Sequence, residues 1–155
     1  MAGRIEARLK ELGIELPQPA APLANYVGFA VSGSLVIVAG QLCTWNGQLR
    51  HIGKLGAGIG IDEGKQAARL CALNVLAQAR AAAGGDLDRI RRVLRLGGFV
   101  NCTPDFTDMP RVVNGASDVM VEVFGDAGKH ARAAVGVASL PGGVAVEVEG
   151  MFELG

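Results

Sequence analysis

The sequence has few of the residues that bind metals or build disulfide frameworks. Its 155 residues include only two histidines, His51 and His130, and three cysteines, Cys43, Cys71 and Cys102. Neither histidine has a cysteine, a histidine or an acidic residue at metal-ligand spacing. An odd number of widely separated cysteines is typical of reduced thiols inside a cell, and the charged N terminus lacks the apolar core of a signal peptide. We therefore predict no metal and a cytoplasmic location.

An excess of charge of one sign and a long apolar run are also missing. Lysine plus arginine and aspartate plus glutamate each number 15, and the longest basic run is the pair Arg91 and Arg92, so no phosphate-binding surface is predicted. Aromatic residues make up only 5% of the chain, too few for a platform that stacks nucleic-acid bases. No apolar stretch approaches the roughly 20 residues that span a bilayer. We expect neither nucleic-acid nor membrane partners.

The chain is nevertheless apolar for its size. Hydrophobic residues account for 50% of it and charged residues for 19%. A chain of this length fits one domain of about 100 to 200 residues. Because a small domain has a large surface for its volume, an apolar chain is expected to bury part of that surface against copies of itself. The composition therefore predicts a homo-oligomer.

Hydrophobic periodicity predicts a short N-terminal helix and, after it, two longer ones packed on a sheet. Ile5, Leu9 and Leu12 recur at helical spacing, which predicts a helix over 3–12, and PQPAAP predicts an extended spacer. The later predicted elements are a hairpin of YVGFAV and SLVIVAG, a loop over 43–60 with a turn at Asn46-Gly47, a helix from the N-cap Asp62 to about Ala83, a strand in DRIRRVLRLGGFVNC, and a helix from the cap Thr107 or Asp108 to Gly125. This order predicts an α+β sandwich with both main helices on one sheet face.

The C-terminal segment predicts another hairpin. The strand-like runs RAAVGVASL and VAVEVEGMF flank Pro141-Gly142, which is the predicted turn. With a two-residue turn, Arg132 and Glu147 share a face of this hairpin and lie about 13 Å apart along it. With a three-residue turn they lie on opposite faces.

A shared face would suit a small anionic ligand. The Arg132 guanidinium can bind a carboxylate through two parallel hydrogen bonds, and the Glu147 carboxylate can position water or accept a proton. Between them the arginine strand carries only the small residues Ala134 and Gly136. A solvated strand edge has the same charge pattern, however, so the pattern alone leaves both interpretations open.

These residues also carry a resemblance to a known family. ARAAVGVASLPGGVAVEVEG resembles the closing signature of the RidA (YjgF-type) family of reactive-intermediate deaminases. The resemblance extends back through NYVGFAV and VIVAGQL to GGFVNCTPDF and covers about residues 23–153. The sequence is thus similar to a RidA-like protein that has an additional N-terminal helix.

The resemblance implies a fold, an assembly and an activity. The implied fold is α+β, a chorismate-mutase-like mixed β-sheet with two main helices packed on one face, over residues 21–155; the N-terminal helix and spacer occupy 1–20. The implied assembly is a homotrimer with clefts between subunits. The implied activity is hydrolysis of 2-imino acids to 2-oxo acids and ammonia, with a small carboxylate-bearing metabolite as ligand and with no cofactor.

The resemblance also implies the roles of individual residues. Arg132 matches the arginine that binds the substrate carboxylate, and Glu147 matches the glutamate that orients the attacking water. Tyr26 matches the tyrosine at the mouth of the cleft. The family's asparagine corresponds to Asn114 or to Ser117, and we favour Asn114.

Three positions depart from the family pattern toward small apolar residues. Ala39 stands where a serine is common, Ala134 where a cysteine is common, and Gly136 where a glutamate is common. The loss of polar groups leaves a second hypothesis open, a non-catalytic trimeric module that binds a 2-oxo acid or a related carboxylate. A ribonuclease or translation inhibitor, as some relatives have been described, fits poorly with zero net charge and no basic stripe.

Overall fold

A computed structural model of the chain describes residues 3–21 and 24–155. The order of its main elements is the predicted one, although the region 43–60, predicted as loop, contains four short strands. The helices are α1 (Arg4–Glu11), α2 (Ile61–Ala82) and α3 (Met109–Phe124). The strands are β1 (Phe29–Ser32), β2 (Leu35–Leu42), β3 (Thr44–Trp45), β4 (Gln48–Leu49), β5 (Lys54–Leu55), β6 (Gly58–Ile59), β7 (Ile90–Asn101), β8 (Ala131–Val137) and β9 (Val146–Leu154).

Five of the strands form one sheet in the order β1-β2-β9-β7-β8. β7 and β8 run parallel, and the other neighbours run antiparallel, so the sheet is mixed as predicted. β3 pairs with β4 around the predicted turn, where Asn46 and Gly47 both have positive φ, and β5 pairs with β6. β1 and β8 form the two edges of the main sheet.

The predicted C-terminal hairpin is wrong, because β7 lies between β8 and β9. A 3-10 turn at Pro141–Gly143 follows β8. The chain then crosses to the segment that precedes β5, where Val144 bridges to Ile52 and the Ala145 N–H donates to the His51 carbonyl. The turn residues are those of a hairpin. β8 and β9 instead each pair with β7, and no local sequence pattern indicates this long-range pairing.

Both long helices cover one face of the sheet. Along β9, Val146, Val148, Gly150 and Phe152 are buried, whereas the residues between them point to the other face and are partly exposed. The inward residues of α2 are small and have no exposed surface, which brings the helix close to the sheet; they include Ala68, Ala72, Val75 and Ala79. Within the described ranges, no helix is long and apolar enough to cross a bilayer.

The start of α2 differs slightly from prediction, whereas the start of α3 agrees with it. α2 begins at Ile61 with Gly60 as its N-cap, so Asp62 lies in the first turn, where its charge still favours the helix dipole. α3 follows Asp108, one of the two predicted caps, and ends at Gly125 with φ 63°. The shift at α2 arises because glycine is also an acceptable N-cap residue.

The N-terminal helix packs on the outside of this sandwich. α1 buries Ile5 and Leu9, as the sequence predicts. Its first turn is held from outside, because the Arg4 and Ile5 N–H groups donate to the Asp88 carboxylate at 2.9 and 2.8 Å. Both hydrogen bonds lower the pKa of Asp88, and the one from Ile5 has the larger effect. The predicted spacer then continues without helix or strand, and its last residue, Pro22, lies outside the described residues.

A close backbone contact between α2 and α3 gives the first prediction. A methyl group at Gly115 would overlap the backbone carbonyl of Lys65. We expect Gly115→Ala to destabilise the fold by about 2 kcal/mol, since overpacking costs about 3 kcal/mol and alanine regains about 1 in helix propensity. Thermal unfolding followed by circular dichroism should show a Tm lower by about 4–8 °C.

The matched control is Gly60→Ala, where the added methyl group meets open space at an ordinary φ of −86°. Because alanine is a poorer N-cap residue than glycine, its Tm should fall, but by no more than about 2–4 °C. Equal Tm values for the two variants would contradict the tight crossing of α2 and α3.

Candidate functional site

Arg132 lies on the helix-facing side of the edge strand β8. In the parallel ladder it pairs with Leu96, which is fully buried beneath the helices. Its side chain is half-buried and reaches α3, where Nη1 donates to Asn114 Oδ1 at 2.8 Å and to Ser117 Oγ at 3.2 Å. The two alternatives for the family's asparagine therefore contact the same guanidinium group. Ala134 follows on the same face of β8.

These contacts use one end of the guanidinium group and leave another side for a ligand. Both hydrogens of Nη1 point to α3, and the described residues provide no hydrogen-bond acceptor for Nε or Nη2 of Arg132. The N–H groups of Nε and Nη2 lie parallel in arginine and form a fork that matches the two oxygens of a carboxylate. Arg132 is thus oriented by the protein and able to take a carboxylate.

The hydroxyl group of Ser117 is itself held by His130. His130 Nε2 lies 2.9 Å from Ser117 Oγ, and His130 Nδ1 lies 2.6 Å from the Gly128 carbonyl oxygen. We name Arg132, Asn114, Ser117 and His130 the Arg132 cluster. The sequence did not predict this contact, because the twelve residues between Ser117 and His130 contain no local signal for it.

Glu147 lies on the opposite face of the sheet, near its centre. It pairs with Leu42 of β2 and with Phe99 of β7 and is half-buried. Burial raises the pKa of the Glu147 carboxyl group, and the nearby charge of Glu149 raises it further. One carboxylate oxygen lies over Gly40, where any side chain would overlap it.

Tyr26 and Gly40 line a recess of about 340 Å³ beside β1 and β2. Tyr26 is 57% exposed and precedes β1, although the sequence placed it at the start of that strand. Ala39 adjoins the recess through its backbone: its N–H donates to the Gly28 carbonyl, and its carbonyl accepts from Gln41 Nε2. We name Glu147, Gly40 and Tyr26 the Glu147 cluster.

The N-terminal segment forms one wall of this recess. Ala20 and Ala21 line it. The segment is fixed by two hydrogen bonds, one from Gln78 Nε2 to the Ala20 carbonyl at 3.1 Å and one from the Gln18 N–H to Asn46 Oδ1 at 2.9 Å. Gln78 is a buried polar side chain that the sequence analysis did not single out, although it interrupts the apolar face of α2.

Of the two arrangements that the sequence left open, a shared face for Arg132 and Glu147 is wrong within one chain, and opposite faces are observed. Along β7, Arg132 stands opposite Leu96 and Glu147 opposite Phe99, and residues an odd number of positions apart point to opposite faces. The two residues are also separated by two strand spacings, about 10 Å. The sheet therefore stands between the guanidinium and the carboxylate, and one small ligand cannot contact both in a single chain.

Comparison with known proteins decides the family. A sequence model of the family described as "YjgF/chorismate mutase-like, putative endoribonuclease" matches residues 6–148. The chain belongs to the YjgF/RidA family. The family membership and the chorismate-mutase-like fold that the sequence resemblance implied are both confirmed.

Individual proteins match along nearly the whole chain. Protein TCP17 of Trypanosoma cruzi is 51% identical over 154 residues, which cover 99% of this chain and 96% of that protein. The crystal structure of protein Atu1372 from Agrobacterium tumefaciens is 47% identical with a TM-score of 0.90, covering 97% of this chain and 93% of that one. The crystal structure of a protein described as a putative endoribonuclease from Shewanella oneidensis is 37% identical with a TM-score of 0.93, covering 98% and 100%.

The raised pKa of Glu147 in this YjgF/RidA chain predicts a stability effect. A carboxyl group whose pKa is higher in the folded state binds more protons there, so its contribution to stability falls as pH rises from the unfolded to the folded pKa. We expect Glu147→Gln to raise the Tm by a few degrees at neutral pH, since half of the carboxyl group remains solvated. The difference from the parent should disappear in acid, where Glu147 is protonated.

Melting curves from pH 4 to pH 8 test this. Glu153→Gln is the control, because Glu153 lies on the same face of β9 nearer its end and makes only a 3.9 Å ion pair with Arg91. If the Tm difference between Glu147→Gln and the parent grew toward acid instead, the surroundings of Glu147 would stabilise its charged form and the prediction would be wrong.

Proposed function

We propose that the protein hydrolyses 2-imino acids to 2-oxo acids and ammonia, with the Arg132 cluster of one subunit facing the Glu147 cluster of a neighbouring subunit. The observation that carries the proposal is the orientation of Arg132, whose Nη1 is held by α3 while Nε and Nη2 have no acceptor in the described residues. A half-buried guanidinium held in this way favours a planar carboxylate over other anions.

The chemistry needs one charge to hold the substrate and one base to handle water. Arg132 binds the carboxylate, and water attacks the protonated imine carbon while Glu147 takes a proton from that water. The C–O bond forms, and the C=N electrons move to nitrogen to give a carbinolamine. Glu147 then returns the proton to nitrogen, the C–N bond breaks, ammonia leaves, and the hydroxyl proton passes to solvent. A raised pKa suits a carboxyl group that both accepts and returns a proton.

The opposite orientations of the two clusters support a site shared between subunits, as in the proposed homotrimer. The helix-free face of the sheet carries Glu147 together with large apolar residues, among them Ile37, which is 42% exposed, and Val135, which is 44% exposed. Burial of such a face against other copies would remove apolar surface from water. It would also bring a neighbour's residues to the edges of each sheet.

Two other functions remain as competing proposals. A binding module for a 2-oxo acid is favoured by the Arg132 cluster, which is complete in one chain without Glu147. Ribonuclease activity is suggested by the family description, but the zero net charge of the chain argues against a phosphate-binding surface. We rank imine hydrolysis first because it uses both clusters.

The deciding assay generates 2-imino acids with an amino-acid oxidase and follows their loss with and without the protein. Faster loss, absent in Arg132→Ala, supports the hydrolase. Binding of 2-oxobutanoate without faster loss indicates the binding module. Cleavage of a single-stranded RNA that requires the same arginine would overturn both in favour of a nuclease.

A further inference from the structure

Ser117 and His130 extend the hydrogen-bond network of Arg132, and the donor and the acceptor of each of their hydrogen bonds can be deduced. A carbonyl oxygen can only accept, so His130 Nδ1 carries a hydrogen and donates it to the Gly128 carbonyl at 2.6 Å. In the neutral imidazole ring, Nε2 is then an acceptor, and it receives the Ser117 hydroxyl hydrogen at 2.9 Å. The hydroxyl hydrogen therefore points away from Arg132, and an oxygen lone pair is left for the Arg132 N–H at 3.2 Å.

The Gly128 end of this hydrogen-bond network is fixed by tight packing. Gly128 is buried, and any side chain there would overlap the Met120 carbonyl of α3. Its backbone therefore has little room to move relative to α3, which also carries Ser117. The carbonyl that orients His130 and the hydroxyl that His130 orients are thus tied to one helix. A rigid reference of this kind is what a binding group needs to be held in one geometry.

The same geometry decides between two roles for the pair. A serine bonded to a histidine whose other nitrogen is fixed has the layout of an activated nucleophile. Here Ser117 and Asn114 both contact Nη1 of Arg132, whereas the fork left for a ligand is formed by Nε and Nη2. Ser117 therefore lies on the side of the guanidinium group away from a bound carboxylate, which favours a role in orienting Arg132.

We infer that Ser117 and His130 are positioning residues that hold the Arg132 guanidinium in the orientation that binds carboxylate ligands. Ser117 supplies the acceptor, and His130, anchored on Gly128, prevents the hydroxyl hydrogen from turning toward the guanidinium. The inference rests on the proposed role of Arg132 as the carboxylate-binding group. It predicts changes in ligand affinity, without a direct effect on proton transfer.

The test measures 2-oxobutanoate affinity by isothermal titration calorimetry, and KM and kcat in the oxidase-coupled assay. Ser117→Ala should raise Kd and KM about tenfold and change kcat less than twofold, since one hydrogen bond to a charged group is lost. Ser117→Thr keeps the hydroxyl group and should restore most of the affinity. His130→Phe should raise Kd about three- to fivefold, because the freed hydroxyl group can turn.

A double-mutant cycle separates this role from a general loss of structure. If His130 acts through Ser117, adding His130→Phe to Ser117→Ala should change Kd no further. The control His51→Asn removes the other imidazole group, which contacts Glu63 and not Arg132, and should leave Kd unchanged. Circular dichroism and Tm confirm that each variant is folded. If Ser117→Ala does not fold, His130→Phe carries the test, and an unchanged Kd in that variant would overturn the positioning role.

The outcomes also distinguish this inference from the proposed function. Additive effects of the two substitutions, an unchanged Kd in Ser117→Ala, or a fall in kcat at constant KM would each overturn the positioning role. If the parent protein binds 2-oxobutanoate with the expected Ser117 and His130 dependence but does not hydrolyse imines, the positioning role stands and the hydrolase proposal fails. If hydrolysis requires Arg132 and is insensitive to both residues, the reverse holds.

Discussion

Arg132→Ala is expected to weaken 2-oxobutanoate binding by about 100- to 10,000-fold. The substitution removes two charge-assisted hydrogen bonds to the ligand carboxylate, each worth about 1.5–3 kcal/mol, and every 1.4 kcal/mol corresponds to a factor of ten. The same variant should lose imine hydrolysis to a similar extent. Because Arg132 is only half-buried, and its partners Asn114 and Ser117 can bond water instead, we expect the Tm to change little.

Arg132→Lys is the matched control for charge without the fork. The ammonium group retains the positive charge but presents no parallel pair of N–H groups, so the affinity should fall between the parent and Arg132→Ala, about tenfold below the parent. Isothermal titration with 2-oxobutanoate measures both variants. If Arg132→Lys binds 2-oxobutanoate as tightly as the parent, the site recognises charge alone and the planar fork has no role. If Arg132→Ala also binds it as tightly, Arg132 does not bind the ligand carboxylate.

Mixing two inactive variants should restore activity if the site is shared between subunits. Arg132→Ala and Glu147→Gln should each lower kcat/KM by about 100-fold or more, because one removes the substrate anchor and the other the base. In a randomly mixed cyclic oligomer, roughly a quarter of the sites combine an intact Arg132 from one chain with an intact Glu147 from the next. The unfractionated mixture should therefore recover about a quarter of the parent activity, and trimers that carry both variants, in which one of the three sites is intact, should recover about a third.

The experiment requires subunit exchange, achieved by co-expressing the two variants with different affinity tags and purifying on both. Each variant co-expressed with itself is the control and should stay inactive. No recovery in the doubly tagged protein would mean that both residues must come from one chain, or that one of them has no catalytic part. Light scattering on the same sample gives the oligomeric state, and a monomer would exclude the shared site.

The sequence predicts the helices well because their signals are local. The spacing of Ile5 and Leu9 in α1, and of Ala68 and Ala72 in α2, records which face of each helix is buried. Turn residues likewise predict the hairpin of β1 and β2. Such patterns depend on residues within one or two turns of each other and do not require knowledge of the partner element.

The C-terminal strands show where local signals end. The alternation of β8 and β9 and the Pro141-Gly142 pair are compatible with a hairpin, yet β7 inserts between the two strands and pairs with both. The order of strands in the sheet is decided by contacts between residues more than thirty positions apart in the sequence, such as Leu96 and Arg132. A hairpin with a two-residue turn would also have placed Glu147 and Arg132 on one face, whereas the pairing of both strands with β7 places them on opposite faces.

The sequence names the candidate site residues but does not predict how they are arranged. The family signature identifies Arg132, Glu147 and Tyr26 as candidates, and both Asn114 and Ser117 contact Arg132. The contact of His130 with Ser117 could not be predicted, since it arises from the path of the chain through the 3-10 turn at Gly125–Gly128 that follows α3. Side-chain networks of this kind depend on the three-dimensional course of loops.

The hydrogen bonds that hold Gln18 and Ala20 against the β3–β4 turn and α2 have a consequence for how this protein could diverge from its relatives. Ala20 and Ala21 form part of the recess near Tyr26, but they belong neither to the sheet nor to the two long helices. Substitutions there would reshape the cavity while leaving the hydrophobic core intact. The shape of this recess is therefore free to change faster than the scaffold that carries it.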